Sequence, residues 1–291
     1  MMSQSKSTLP NFDTLWNYGD PGETERRFRE LLPAAELSHD AEYLAQLLTQ
    51  IARCEGLQGK FEMGHATLDA AEQLISKHDL RLARARYLLE RGRAYNSSNQ
   101  RESALPLFHQ AYDVASALNE SRYAVDAVHM IAIAEVEPAI QLEWNLKAIA
   151  LAEATNERGW LFALYNNVGE TYLSLGEYDS AYDYFSRLAA LQAERTGSPD
   201  MYTVKDRAKA ARLAGRMQES QTLMQPILDR LLTEGKDDGY IRQELAEALY
   251  SLGKGELAGP HYAMAFELLS VDDWVVQNEP QQLQRMQRLS K

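Results

Sequence analysis

Cysteine is nearly absent from this 291-residue sequence, with Cys54 as its single example. One thiol excludes an intrachain disulfide framework and a cysteine-based zinc cluster. Cys54 falls on the apolar stripe Ile51, Cys54, Leu57, where inert packing is expected rather than reactivity. Long hydrophobic runs are missing too, and no segment approaches the roughly 18 apolar residues needed to cross a bilayer. The stretch from Met1 to Pro10 is polar, carries one lysine and lacks the apolar centre of a secretory signal, so a cytoplasmic protein with no membrane partner is expected. Positive charge is scarce, with 30 Lys and Arg against 42 Asp and Glu and a formal net charge of −12. Proteins that hold nucleic acid are usually basic over a whole face, so nucleic acid is not expected as the partner.

Catalytic patterns are equally sparse. The six histidines (His39, His65, His78, His109, His129, His261) include no pair at the i, i+4 spacing of a metal site. Gly56, Gly59 and Gly64 resemble a phosphate-binding loop only in composition, since no strand precedes them. Acids such as Asp179 and Asp183 fall on stretches that read as solvent-facing helix. The sequence therefore predicts no enzyme, no metal and no cofactor.

What is present is helical periodicity. From Pro21 onward apolar residues recur at i, i+3, i+4 and i+7, with few prolines and short, regular breaks. The clearest unit, residues 164–188, places Gly169 inside a first helix, Tyr172 one turn later and Gly176 in a turn. Ala181, Phe185 and Leu188 then lie along a second helix. A second copy reads Gly92, Tyr95, Asn99, Ala104, Phe108, Ala111, and fainter copies carry Ala52, Ala208 and Ala246 in the first small position. With Ala132 included, the small residues stand at 52, 92, 132, 169, 208 and 246, at intervals of 40, 40, 37, 39 and 38. The short interval coincides with Glu135-Val-Glu-Pro138, where the turn is cut and the second helix restarts at Pro138.

Each marked position has a physical reason. Seven residues after the small one stand Gly59, Asn99, Gly176, Gly215 and Gly253, the residue types that adopt a left-handed backbone most cheaply at a helix end. The small residues let two antiparallel helices approach closely. The large residue four after the second small one fills the space against the next repeat. Glu23 to Glu36 reads as the second helix of an incomplete first repeat, and Glu279 to Ser290, with Leu283, Met286 and Leu289, as a terminal cap. Thr196-Gly-Ser-Pro-Asp200 reads as a loop with Ser198 as N-cap and Pro199 at the first helical position.

At these residues the chain resembles the tetratricopeptide repeat (TPR) family over about residues 12–270. The long period is similar to the variant found in kinesin light chains, bacterial peptide-sensing regulators and the sensor regions of signal-transduction ATPases. The resemblance implies an all-α, right-handed α-solenoid of about six to seven TPR-like helix-turn-helix repeats with a C-terminal capping helix. Its first helices would line a concave groove. Residues 1–11 are expected to be a disordered N-terminus, and 12–290 a single solenoid domain.

The groove is where function is sought. With the small residue of each first helix at position eight of its unit, positions two, five, nine and twelve are expected to face it. The candidates include Thr49, Arg53, Arg86, Arg93, Asn96, His129, Asn166, Glu170, Tyr202, Lys205, Lys209, Arg212 and Gln243. Lys205, Lys209 and Arg212, at i, i+4 and i+7, put three cations on one stripe. They could attract an anionic guest or pair with acids such as Glu90, Glu170 or Asp206. Relatives with long repeats use asparagine at such places to hold a peptide backbone, and the resemblance carries that role to Asn166. The family's clamp for a C-terminal carboxylate is incomplete, because His129 stands where a cation is needed.

Two functions follow as expectations. One is a protein-interaction scaffold binding an extended, acidic peptide segment of a partner in its groove. The alternative is a ligand- or peptide-responsive regulatory sensor. Trp274, Val275 and Val276 are a candidate apolar contact for a homodimer.

Overall fold

The computed structural model describes residues 9–291, in which fifteen α-helices follow one another and no strand is found among the described residues. By its contacts the chain divides into two compact units, Met1–Trp160 and Leu161–Lys291, against the single domain over 12–290 expected from sequence. The first unit holds α1 (Pro21–Leu37), α2 (Ala41–Leu57), α3 (Phe61–His78), α4 (Arg81–Ser97), α5 (Arg101–Ala117), α6 (Ser121–Ala134) and α7 (Pro138–Ala154). The second holds α8 (Leu161–Leu175), α9 (Tyr178–Thr196), α10 (Met201–Leu213), α11 (Met217–Thr233), α12 (Gly239–Ser251), α13 (Gly255–Leu269), α14 (Asp273–Asn278) and α15 (Pro280–Leu289).

Within each unit, consecutive helices pack as hairpins, and first helices of successive hairpins also touch: α2 with α4, α4 with α6, and α10 with α12. Two kinds of turn fix this register. Inside the hairpins Gly59, Asn99, Gly176, Gly215 and Gly253 all have φ between 62° and 83°, at the positions the repeat marks. Between hairpins a second left-handed series, not anticipated from the sequence, runs His39, Asp79, Asn119, Asn156, Gly197, Gly235. Four of these six residues have a Cβ, which makes the conformation costlier than at glycine. The hairpin of α6 and α7 lacks the first kind of turn, and Pro138 starts α7 directly.

The small first-helix residues have the role inferred for them. A Cβ built on Gly92 would lie 2.4 Å from the Phe108 ring, and one on Gly169 would lie 2.7 Å from the Phe185 ring. Both rings are fully buried. The terminal cap is also as read: Leu283 and Met286 of α15 enter the core of the second unit, with α13 as a neighbour. At α10 the N-cap is Asp200, not Ser198, and the helix begins at Met201 rather than Pro199. The Asp200 carboxylate accepts from the Tyr202 N–H at 2.8 Å, satisfying a donor that the Ser198 side chain leaves unmet.

Of the segment 1–11 expected to be disordered, residues 1–8 lie outside the described residues. Pro10 gives its carbonyl to the Tyr43 hydroxyl at 2.9 Å, and Asn11 caps a 3-10 turn, Phe12–Leu15.

Replacing Gly92 with alanine should overpack the α4–α5 hairpin and cost about 1–3 kcal/mol. Thermal melts should show a lower midpoint for Gly92→Ala, partly restored when Phe108→Leu is added.

Candidate functional site

In the first unit, the candidate cations lie on the first-helix face, and acids of the chain itself meet them. Arg53 on α2 and Arg93 on α4 share Glu90, with N–O distances of 3.1 and 2.8 Å. Arg93 also bonds Asp126 of α6. Burial works against the Arg53 charge, but Glu90 and Asp126 outweigh it and hold the guanidinium above its ordinary pKa. Arg86 is 3% exposed; it donates to Asp13 at 2.8 Å and to the Tyr123 hydroxyl. The other candidates here are more apolar in setting. His129 is buried with its ring 5.5 Å from that of Trp160, and burial lowers its pKa, with Asp126 opposing and Arg93 assisting. The amide oxygen of Asn96 and Nδ1 of His129 are buried without a hydrogen-bond partner among the described residues. Thr49 does not face a groove: it is fully buried and donates to the Gln46 carbonyl at 2.6 Å.

In the second unit, Lys205, Lys209, Arg212 and Gln243 come together on one side of a cleft of about 960 Å³. The other side is the end of the chain, with Glu279, Gln282, Arg285 and Arg288. Arg212 makes a two-pronged contact with Glu244 at 2.7 and 2.9 Å, and Lys205 is 2.9 Å from Asp206. Gln282 donates to Gln243 at 2.9 Å, and Arg285 grips Glu247 at 2.9 and 3.0 Å. Lys209 and Arg288, both exposed, enter no ion pair among the described residues. Glu170 is exposed and within electrostatic reach of Lys205, Lys209 and Asp206. Asn166 is half-buried on α8, with no side-chain hydrogen bond among the described residues. Tyr202 is 40% exposed, and its hydroxyl donates to Asp238 at 2.7 Å. That bond, with burial second, pushes its pKa up to about 12.

Thus the five candidates Arg53, Arg86, Arg93, Asn96 and His129 belong to one unit. Asn166, Glu170, Tyr202, Lys205, Lys209, Arg212 and Gln243 belong to the other. Two groups of residues were not legible as site residues. The first is Phe12, Asp13, Trp16 and Tyr18, which lie against the cations of the first unit. The aromatic spacing at 12, 16 and 18 was the available signal. The second is Gln282, Arg285 and Arg288, whose spacing of three reads from sequence only as the polar side of a cap. Of the apolar trio near the C-terminus, Val275 is buried in the core, and only Trp274 and Val276 remain exposed.

No protein-family description and no curated protein matches the sequence. Solved structures do match. A signal-transduction ATPase of Pyrococcus horikoshii with a tetratricopeptide repeat sensor superposes with a TM-score of 0.73 at 12% identity, over 92% of this chain and 42% of that one. The chain therefore spans less than half of that protein's length. The apo form of the quorum sensor NprR from B. thuringiensis matches with a TM-score of 0.61 at 15% identity, over 96% and 79% of the two chains. A putative kinesin light chain of Podospora anserina, with nearly identical TPR-like repeats, matches with a TM-score of 0.56 at 18% identity, over 64% and 95%. The fold is an all-α solenoid of the tetratricopeptide-repeat type. The three groups that the period length suggests are among its structural neighbours.

Glu90 is 6% exposed and is the acceptor common to two arginines. Glu90→Gln should lower the stability of the chain by about 1–3 kcal/mol, because two largely buried guanidinium groups lose a charged partner. A urea titration should show the lower midpoint, and Glu170→Gln, at an exposed position, should not.

Proposed function

We propose that the chain is a protein-interaction scaffold that holds an extended, acidic segment of a partner against the first-helix face of its second unit. The observation that carries this reading is the pair of exposed cations Lys209 and Arg288, which enter no ion pair among the described residues and line one cleft of about 960 Å³. Lys205 and Gln243, which line the same cleft, offer further donors. In a chain of net charge −12, a cleft lined by five Lys and Arg against three Glu is a local reversal of sign that steers an anionic guest. Asn166 supplies an amide with both donor and acceptor, suited to the backbone of an extended peptide whatever its sequence. The first unit contributes less to this electrostatic attraction, because Arg53, Arg86 and Arg93 are matched by Glu90, Asp126 and Asp13. The reading is one of binding, not catalysis, with a protein or peptide as guest in the cytoplasm rather than nucleic acid or a membrane.

One observation favours a second reading, a regulatory sensor. The outer side of the cleft is a ten-residue terminal helix, α15, joined to α12 by the side-chain pairs Gln282–Gln243 and Arg285–Glu247. A guest that competed for those pairs would move α15 and alter the surface it presents. The structural likeness to a quorum sensor and to a sensor-bearing ATPase is in keeping with this.

Affinity purification with mass spectrometry, comparing the parent with Lys205→Glu/Lys209→Glu, tests the scaffold. The double reversal should weaken a captured partner roughly ten-fold or more at low salt, with the gap narrowing as salt rises. Equal affinity of the two proteins at low salt would remove the electrostatic claim. A fall in the radius of gyration on addition of the partner segment would favour the sensor.

A further inference from the structure

Residues 9–18 cross the first-helix face of the first unit and make there the kinds of contact that a bound peptide makes. The Asp13 carboxylate bonds Arg86 of α4. Phe12 lies beneath the same guanidinium, 5.3 Å from its carbon. The Trp16 indole N–H donates to Gln50 of α2 at 3.0 Å. Trp16 and Tyr18 stack on one another at 4.6 Å and both lie near Arg53, at 5.9 and 5.6 Å. Residues 9–18 contain one acid, Asp13, and no cation, and that acid meets Arg86.

The fit is incomplete. Nε of Arg53 and Nη1 of Arg86 are buried beside this segment without an acceptor among the described residues. Buried donors left unmet cost free energy, so a segment with one more acceptor would bind better. The connection to α1 is the short loop Asn17–Asp20, tied to the helix by the Thr24 hydroxyl.

We propose that this face is a recognition site for a segment in which an aromatic residue and an acid are followed by tryptophan, and that residues 9–18 occupy it as an exchangeable internal ligand. A foreign segment of the same order of side chains takes their place on Arg53 and Arg86. This site is separate from the cleft of the second unit and does not depend on the reading given for that cleft. The competing account is that residues 9–18 are a permanent end-cap, since Phe12 also packs edge-on against Phe28 and Tyr43.

The two accounts part in one experiment on the full chain carrying a protease site inserted between Tyr18 and Gly19. After cutting, a fluorescent synthetic peptide of residues 9–18 is titrated while helical circular dichroism is followed. The peptide should bind the cut protein saturably, with helicity unchanged, and bind the uncut protein at least ten-fold more weakly. The peptide carrying Asp13→Lys should bind at least ten-fold more weakly than its parent. Absence of exchange, loss of helicity as the segment leaves, or equal binding of the Asp13→Lys peptide would each overturn the proposal. Should the insertion prevent folding, the uncut Asp13→Lys chain serves instead: it should take up the parent peptide where the unaltered chain does not, and equal uptake by both would count against the idea.

Discussion

The close approach of a first helix to the aromatic ring of its hairpin partner is what the rest of this architecture hangs on. Gly92 over Phe108 and Gly169 over Phe185 leave no room for a methyl group. Each contact sets how near two helices lie, and therefore where the side chains on the opposite face of the first helix emerge. Burial of a fully enclosed phenylalanine stabilises by about 1.5–3 kcal/mol, so the contact orients and stabilises at once. Repeats without glycine use alanine at this place: Ala52, Ala208 and Ala246 are all buried. Side chains on the open face of the first helices are thus positioned by packing on the opposite side.

Charge on that face follows two different plans. In the first unit cations and acids are interleaved across three helices, Glu90 between Arg53 and Arg93 and Asp126 beyond them. Such a network holds neighbouring helices in register and has little charge left for a guest, except where residues 9–18 already lie. In the second unit the half-buried Arg212 is matched by Glu244, yet Lys209 and Arg288 stay open to solvent. Cations at one repeat position thus serve cohesion at Arg53 and Arg93 and stay open to solvent at Lys209. Local pairing decides which.

How much of this can be read from the sequence depends on range. Turn glycines and the Gly–Phe contacts are legible, because each reflects a constraint within one hairpin and recurs with the repeat. The left-handed turns between hairpins escape notice, since the series mixes His39 and Asp79 with two asparagines and two glycines. Candidate site residues are legible as positions on a face, but not as paired or open. That Arg86 meets Asp13, 73 residues away, cannot be seen in a periodic pattern. Nor can the approach of Arg285 to Glu247, because the cap helix stands outside the repeat. Thr49, midway along α2, occupies a position that the repeat pattern assigns to the open face, yet it is fully buried and bonds its own helix backbone.

The hairpin of α6 and α7 joins its helices without a left-handed residue, and there the spacing of the small residues drops to 37. At every other junction from α1 to α13 a left-handed residue stands between the helices, so a lost or gained residue there would disturb the turn. Proline at the start of α7 offers another way to restart a helix, one that can absorb a change in length. Arrays whose parts touch only their neighbours grow and shrink by whole modules. This joint is the place where such a lineage could lose a few residues and keep its helices in step.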